Sequence, residues 1–321
     1  MSPVRFGFLL VCFLLPWLSG TCQTEARWQI AFWNVENFFD TEDDTLKADE
    51  AFLPMGENHW TPRRYIDKRN KIYKVVAAMQ WPAAVGLAEV ENDRVLRDLC
   101  YGTPLRRKGY DFVHFESPDR RGVDCALLYR RDQFRPTETH RLVVSDSAAG
   151  FFTRDILWVG GILGGTDSCF LLVNHWPSKL GGAEADRRRM AIARRLRHTM
   201  DSLQRAHPGA LVLAMGDFNA APDEEAIQKG LGFGKGKQNP DGFYNLMHGI
   251  PKGTGTYKYH DYWSCIDQMI ANRELAVSIF MPDFILEDDP RYLGKKISRT
   301  YSGMQYLGGY SDHLPIIVSI P

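Results

Sequence analysis

The sequence is poor in cysteine, has no excess of charge of either sign, and lacks long apolar runs after its first twenty or so positions. Six cysteines in 321 residues exclude a small fold held together by disulfides. Lys and Arg total 39, as do Asp and Glu, so the chain is not a globally cationic nucleic-acid coat, and an anionic ligand must be held locally. Hydrophobic residues make up 44% and aromatic residues 12%, which excludes intrinsic disorder. We therefore expect a folded protein with a substantial core.

The N-terminal segment has the pattern of a secretory signal. Arg5 precedes an uncharged apolar run over residues 6–18, which is too short to span a bilayer and is followed by small residues. We predict a signal peptide over residues 1–22 and one domain over residues 23–321, exported to the periplasm, the outer surface or the medium. Cys22 follows Ser19-Gly20-Thr21, so lipid attachment at Cys22 stays open as an alternative. No later segment is apolar enough for a transmembrane helix, and we expect none in the mature chain.

The cysteines after residue 22 do not form a disulfide framework. Cys125, Cys169 and Cys265 lie inside apolar, strand-like runs, and Cys100 ends a helical pattern. Buried cysteine behaves as a small hydrophobic residue, so we expect free thiols. The absence of a CxxC or Cys/His cluster argues against a zinc finger.

Short, nearly continuous apolar runs recur along the whole chain and predict strands that are covered on both faces. Helices are predicted to begin at Thr61-Pro62, an N-cap followed by proline, and to span residues 186–206. Residues 231–242 and 283–309 are interpreted as surface loops. Because strands outnumber helices and no linker divides the chain, we predict a single α+β domain.

Polar side chains able to bind metal or move protons recur where the apolar runs end. Taken singly, such residues often cap turns, and Glu91 is interpreted as a solvated carboxylate. Together they predict a site, because carboxylate and amide oxygens suit Mg²⁺, with Mn²⁺ or Ca²⁺ as alternatives, and histidines can hydrogen-bond a phosphate. The pattern thus indicates metal-assisted phosphoryl chemistry. The residues are Asn34, Glu36, Glu89, Asn174, His175, Asp217, Asn219, Asp312 and His313.

The order of these motifs resembles the endonuclease/exonuclease/phosphatase superfamily, which includes deoxyribonuclease I-like proteins. The matching segments are FWNVENFFD, GLAEVEN, RRGVDCALLYR, VNHWPSKLGG, MGDFNAAP, CIDQMI and GGYSDHLPI. They run from Asn34 to His313, nearly the whole of the predicted domain. The resemblance implies a four-layer α/β/β/α sandwich, in which two packed mixed β-sheets are flanked by helices.

The same resemblance implies a set of metal ligands. Asn34 and Glu89 match the metal-binding pair, with Glu89 as the principal carboxylate, and Asp312 assists the metal. Many relatives carry Gln immediately before the metal Glu, whereas this chain has Ala88. Asp124 lies near the position where some relatives keep a carboxylate partner for the first catalytic histidine.

The resemblance also implies an acid-base set. Asp217 matches the residue that orients and deprotonates the attacking water, and Asn219 matches its neighbour on the phosphate. His175 resembles the histidine that hydrogen-bonds a phosphate oxygen. His313 resembles the second catalytic histidine, with Asp267 as its partner.

The substrate class is open at this stage, because the shared site serves nucleic acid, lipid headgroups and inositol phosphates. We favour an exported nuclease that hydrolyses phosphodiester bonds, with a lipid or small-molecule phosphodiesterase or phosphatase as the alternative and an inactive binding protein as a remote one. Asn174, Lys179 and Arg121 are candidate substrate contacts. We expect a monomer without a stable protein partner. Four aromatic residues are candidates for stacking on a base, for lying against a lipid interface or for packing under loops: Trp176, Tyr301, Tyr306 and Tyr310.

Overall fold

The computed structural model describes residues 27–145, 150–251 and 253–321. The predicted signal peptide and Cys22 lie outside these residues. Within them, no helix combines the length and hydropathy needed to cross a bilayer. The cysteines of the described chain, Cys100, Cys125, Cys169 and Cys265, are free thiols, as the sequence predicts.

Strands account for most of the regular structure in the described part of the chain. In chain order they are β1 (Trp28–Phe38), β2 (Ala84–Val90), β3 (Tyr110–His114), β4 (Asp124–Arg130), β5 (Phe134–Leu142), β6 (Ile156–Leu163), β7 (Asp167–His175), β8 (Leu211–Asp217), β9 (Tyr244–Asn245), β10 (Tyr257–Tyr259), β11 (Tyr262–Ser264), β12 (Asp267–Ala271), β13 (Ala276–Ile279), β14 (Leu286–Asp288), β15 (Lys295–Ile297), β16 (Tyr301–Ser302), β17 (Gln305–Tyr306) and β18 (Ile316–Ile320).

These strands form two six-stranded mixed sheets and three small hairpins. The first sheet has the order β13-β18-β1-β2-β4-β3, and the second has the order β5-β6-β7-β8-β12-β9. The sheets pack face to face through one apolar cluster that includes Phe32 and Leu127 from the first sheet and Leu171 and Met215 from the second. Parallel pairing joins β1 to β2 and β7 to β8, so the carboxyl ends of these strands lie together.

Helices cover the outer face of each sheet. Helices α1 (Pro62–Ala78) and α2 (Asp93–Gly102) pack on the first sheet, and α3 (Gly182–Ala206) packs on the second. Thr61 caps α1 by accepting a hydrogen bond from the Arg64 backbone, as the sequence predicts. Short helical turns complete the layers at Glu50–Phe52, Pro104–Lys108, Lys179–Gly181, Ala226–Gly230 and Asp283–Ile285. The predicted α+β, four-layer α/β/β/α sandwich is confirmed.

The interpretation of residues 283–309 as a plain surface loop was wrong. The segment contains the β14–β15 and β16–β17 hairpins, and Ile285, Ile297 and Tyr301 are buried against the α1 side of the first sheet. The segment is rich in charged residues and glycine, so its composition predicts a loop even though these three apolar side chains are buried.

Candidate active site

The second sheet aligns three polar residues on adjacent strands. In the parallel β7–β8 pair His175 lies opposite Asp217, and in the antiparallel β8–β12 pair Asp217 lies opposite Asp267. Gly216 permits this approach, because a Cβ there would lie 2.3 Å from the Asn174 carbonyl oxygen. Strand register alone therefore brings together residues that are far apart in sequence.

The first sheet contributes the opposite wall of the site. Asn34 lies in β1, opposite Ala88 of the neighbouring β2, and Glu89 is the next residue of β2 after Ala88. Glu89 has a positive φ of 63°, and Asn219 after β8 has one of 47°. Such values are costly for residues with a side chain and are concentrated at functional sites. The two walls meet where the Asn34 side-chain amide donates to Asp217 Oδ2 at 3.1 Å.

His313 joins this group from the segment before β18. Its backbone N–H donates to Ser311 Oγ at 3.0 Å, and its Nδ1 lies 2.8 Å from Asp267 Oδ2. Its Nε2 lies 3.6 Å from Asp217 Oδ2, and His175 Nε2 lies 3.7 Å from the same oxygen. Asp217 is thus flanked by two imidazoles, and all three side chains are almost fully buried.

Burial and neighbouring charges give these groups different protonation states. Burial raises the pKa of Asp217 to about 7 against the opposing effect of His313. Burial lowers the pKa of His175 well below its usual value, and the Arg154 and Arg121 charges lower it further. For His313, burial opposes the charge, but the Asp267 and Asp217 carboxylates outweigh it and raise the pKa well above its usual value. The site therefore pairs a neutral histidine with a cationic one.

Asn219 is fixed beside Asp217. Its backbone N–H donates to Asp217 Oδ1 at 2.9 Å, and its side-chain amide donates to the Trp176 carbonyl at 3.0 Å. Asn219 itself lines the cleft.

Two of the three residues predicted as metal ligands, Glu89 and Asp312, line the same cleft, whereas Asn34 Oδ1 accepts from the Glu36 backbone N–H at 3.0 Å. Glu89 Oε2 accepts from the Asn37 backbone N–H at 2.9 Å, while its Oε1 lies 3.7 Å from His175 Nε2. Asp312 Oδ2 accepts from Arg299 at 2.7 Å, and its Oδ1 lies 4.0 Å from His313 Nε2. Both carboxylates line the cleft and no cysteine of the described chain does, so the donor set fits a hard divalent cation.

The predicted substrate contacts are divided by the structure. Arg121 and Lys179 line the cleft, where Arg121 lies 3.9 Å from Glu89 Oε1 and Lys179 pairs with Glu224. Asn174 does not line it: its side chain is fully buried, donates to the Leu172 and Met215 carbonyls and accepts from the Trp176 indole. The contacts of Asn174 are those of a residue that holds β7 and its exit in place.

Three carboxylates have surroundings that the sequence did not predict. Asp124 Oδ2 lies 3.5 Å from Nε2 of His114, a histidine outside the acid-base set. Glu91 is buried rather than solvated and accepts from the Asp40 backbone N–H at 2.5 Å. Glu36 is also buried, and it accepts hydrogen bonds from the backbone N–H groups of Thr300 and Tyr301. Their strand-end positions gave no means of telling a solvated group from a buried one.

Arg154 is a cleft residue that sequence reasoning missed. Its guanidinium donates to Asp119 Oδ2 at 3.0 Å and to the Trp176 carbonyl at 3.1 Å, and only 9% of the residue is exposed. A single arginine before a strand carries no periodic signal, so nothing in the sequence distinguished it from a surface charge.

Two of the four candidate aromatic residues follow one of the alternatives that the sequence left open, packing under loops. Trp176 is buried and stacked on Phe218, and Tyr301 is buried against Trp60, so these residues pack under loops. The cleft is lined instead by tyrosines of the β10–β11 hairpin: Tyr257, Tyr259 and Tyr262. It has a volume of about 760 Å³.

Comparison with known proteins identifies the family of the chain and agrees with its fold. The model of the endonuclease/exonuclease/phosphatase family matches residues 29–321, and the chain belongs to that family. No curated protein sequence matches the chain significantly.

Solved structures from several sources share the fold. TDP2 from D. rerio, complexed with a single-strand DNA product, has 16% sequence identity and a TM-score of 0.56, covering 91% of this chain and 98% of that one. A mannosyl-6-phosphatase from Bacteroides thetaiotaomicron has the same identity, TM-score and coverage. The catalytic domain of human nocturnin, with bound sulfate, has 16% identity and a TM-score of 0.54, covering 90% of this chain and 92% of that one. At these identities the likeness shows the fold alone.

Proposed function

We propose that the protein is a divalent-metal-dependent phosphodiesterase that hydrolyses nucleic acid. The observation that carries this proposal is the position of Asp217, whose Oδ2 lies 3.6–3.7 Å from the Nε2 atoms of His313 and His175 at the base of a cleft that Glu89 also lines. In-line hydrolysis needs a proton acceptor for water and donors for the phosphoryl oxygens, and these three side chains offer both.

Each group has a distinct task in this mechanism. Asp217 accepts the proton of the attacking water, a role that suits a carboxyl group whose pKa burial raises to about 7. His313, held cationic by Asp267, neutralises charge that develops on the phosphoryl oxygens. His175 is neutral, and the Glu89 and Asp217 carboxylates near its Nε2 favour the tautomer that carries the proton there. His175 therefore donates a second hydrogen bond to the phosphoryl group.

Glu89, Asn34 and Asp312 are the residues that would hold the cation, with Mg²⁺ as the best match and Mn²⁺ or Ca²⁺ as alternatives. A bound divalent ion supplies charge neutralisation at a phosphoryl oxygen. Asn219, fixed between Asp217 and the Trp176 carbonyl, positions the phosphate.

The cleft supports a nucleic-acid substrate. Tyr259 and Tyr262 are 62% and 67% exposed on the β10–β11 hairpin. The ring of Tyr259 is stacked on His260, so Tyr262 offers the better surface for stacking on a base. Arg121 and Lys179 line the same cleft and can neutralise flanking phosphates. This combination of exposed aromatic rings and local cations compensates for the lack of net positive charge.

Hydrolysis of a small phosphate monoester is the second candidate. The solved structure of a mannosyl-6-phosphatase with this fold supports it, as do three cations around the cleft, Arg121, Arg154 and Lys179. A terminal phosphate carries more charge than a diester and would use all three.

A substrate panel tests the proposal. Single-stranded DNA, RNA, mannose 6-phosphate, sphingomyelin, inositol phosphates and bis-p-nitrophenyl phosphate would be assayed with Mg²⁺, Mn²⁺ and Ca²⁺, with Asp217→Asn as the matched inactive variant. We expect turnover of the nucleic acids and of bis-p-nitrophenyl phosphate. Turnover of mannose 6-phosphate alone would favour the second candidate, and no turnover of any ester would refute both.

We also propose that the chain is exported, on the pattern of residues 5–22. Mass spectrometry of the protein from its native host should find a mature N-terminus near residues 20–27, with or without lipid on Cys22. An intact Met1 on an intracellular protein would contradict export.

A further inference from the structure

Apart from the active-site cleft, a group of side chains of the types that bind metal ions lies around the connection between β3 and β4. His114 ends β3, Asp124 begins β4, and Glu116 lies between them. One ligand atom from each residue lies within 4.8 Å of the other two. The connection itself, residues 115–123, is not part of a strand or helix.

Two of these ligand atoms are buried without a hydrogen-bond partner in the described part of the chain. The His114 and Asp124 side chains are each 1% exposed, and His114 Nε2 lies 3.5 Å from Asp124 Oδ2. Neither atom makes a hydrogen bond there. Polar atoms this deeply buried are nearly always satisfied, so the pair calls for a missing occupant. Glu116, whose side chain is 54% exposed, provides the open side through which an occupant can enter.

The contact that His114 makes through Nδ1 determines whether its Nε2 carries a proton. His114 Nδ1 lies 2.8 Å from Asp93 Oδ1, at the first position of α2. A carboxylate only accepts, so Nδ1 carries the proton and Nε2 of the neutral ring presents a lone pair. A carboxylate bonded to the distal nitrogen is the arrangement that orients metal-binding histidines.

The group as a whole therefore requires a positive charge among three acceptors. Burial opposes a proton on His114, but Asp124 and Asp93 outweigh it and raise the pKa of the imidazole. Burial and the Asp124 carboxylate raise the pKa of Glu116. Lys47 lies 3.9 Å from Glu116 Oε2, and its ammonium donates to the Ser117 and Asp119 carbonyls. The occupant between His114 and Asp124 is thus either a proton or a metal ion.

We propose that His114, Glu116 and Asp124 bind a divalent transition-metal ion, with Zn²⁺ as the best match. One imidazole nitrogen and two carboxylates make a three-ligand set that leaves a further position for water, a set that suits Zn²⁺. Mg²⁺ and Ca²⁺ favour oxygen ligands alone, so the imidazole selects against them. The site is separate from the ligands Asn34, Glu89 and Asp312, and it does not depend on the proposed function.

A metal at this position would tie the ends of the β3–β4 connection together. That connection carries Arg121, which lines the cleft, and Asp119, which accepts from Arg154. Its backbone is also anchored at Ser117, whose N–H donates to Asp124 Oδ1 at 3.1 Å. Occupancy would therefore stabilise the segment that positions the cationic edge of the cleft.

Zinc stoichiometry measured by equilibrium dialysis against ZnCl₂ tests the proposal directly. Native protein, Glu116→Gln, Glu89→Gln and Glu57→Gln would be compared. Glu116 and Glu57 are both exposed, so both variants should fold, and Glu57→Gln is matched in charge. We expect Glu116→Gln to weaken one zinc equivalent by at least about tenfold, the lower end of the loss from removing a supporting hydrogen bond at a metal site. Glu57→Gln and Glu89→Gln should keep that equivalent.

A thermal measurement separates a bound metal from a bound proton. Zinc should raise the unfolding temperature of Glu89→Gln, because a ligand that binds the folded state stabilises it, and the rise should be lost in Glu89→Gln/Glu116→Gln. Equal zinc binding and equal shifts with and without Glu116 would overturn the proposal and leave His114 as a protonated, ion-paired histidine. Because neither readout uses phosphoester hydrolysis, failure of the proposed function would not affect it.

Discussion

His313 and Asp267 form a buried pair in which Nδ1 of the imidazole lies 2.8 Å from Oδ2 of the carboxylate, across 46 positions of sequence. The contact keeps the proton on Nδ1 and directs Nε2 toward Asp217, 3.6 Å away. Asp267 itself is placed by its pairing with Asp217 across β12 and β8. The two residues therefore behave as one unit that holds a positive charge beside the proposed base.

Substitutions at His313, Asp267 and Asp217 test whether His313 and Asp267 act as one unit beside the proposed base. Positioned acid-base groups are each worth about 10²–10⁴-fold in rate, so His313→Ala and Asp217→Asn should both lose activity on that scale. Asp267→Asn should lose less than His313→Ala, because it acts only through the histidine. Steady-state kinetics on bis-p-nitrophenyl phosphate would measure all three variants.

The double variant Asp267→Asn/His313→Ala provides the control. If the pair is one unit, the double variant should be no slower than His313→Ala alone. Fully additive losses would give Asp267 a separate role and break the pair.

The exposed ring of Tyr262 should contribute to binding rather than to chemistry. Stacking of a base on an aromatic side chain is worth about 1–3 kcal/mol, so Tyr262→Ala should raise KM for a single-stranded oligonucleotide by roughly 5- to 150-fold with little change in kcat. Tyr262→Phe keeps the ring and should behave like the native protein. An unchanged KM in Tyr262→Ala would remove the β10–β11 hairpin from substrate recognition.

Lys68 is a buried cation that connects α1 to the loop preceding His313. Its ammonium donates to Thr300 Oγ1 at 2.5 Å and to the Tyr310 carbonyl at 2.7 Å, and burial lowers its pKa to about 8. Lys68→Met should lower the free energy of unfolding by about 3 kcal/mol, because buried partners lose a charged donor.

Urea unfolding would measure this loss against Arg63→Met, which replaces an exposed cation on the same helix. The control should change stability by no more than about 0.5 kcal/mol. Equal effects of the two substitutions would mean that the Lys68 contacts contribute nothing specific.

The fold and the composition of the site were predictable because both depend on local pattern. Apolar runs marked the central strands, and Asn34, Glu89 and Asp217 stood where those runs ended. The register between neighbouring strands brings such residues together. The family resemblance was the reason to expect that they would form one site.

Long-range contacts of isolated residues were not predictable. Lys68 looks like any polar helix position, yet it donates to the Thr300 hydroxyl. Arg154 and the short β10–β11 hairpin carry no periodic signal. The contact between His114 and Asp93 depends on how α2 packs beside β3, which no spacing in the sequence encodes.

The most direct test of the account is metal-dependent hydrolysis of bis-p-nitrophenyl phosphate by native protein, Glu89→Gln and Glu91→Gln. Burial raises the pKa of Glu91 to about 8, so this carboxyl is protonated at neutral pH and its amide variant is a close mimic. We expect chelator to abolish native activity and Mg²⁺ to restore it. Glu89→Gln should lose activity by about 10² or more, because a neutral amide ligates weakly, while Glu91→Gln stays close to native. Full activity in excess chelator, or equal activity of the two variants, would contradict a metal held by Glu89.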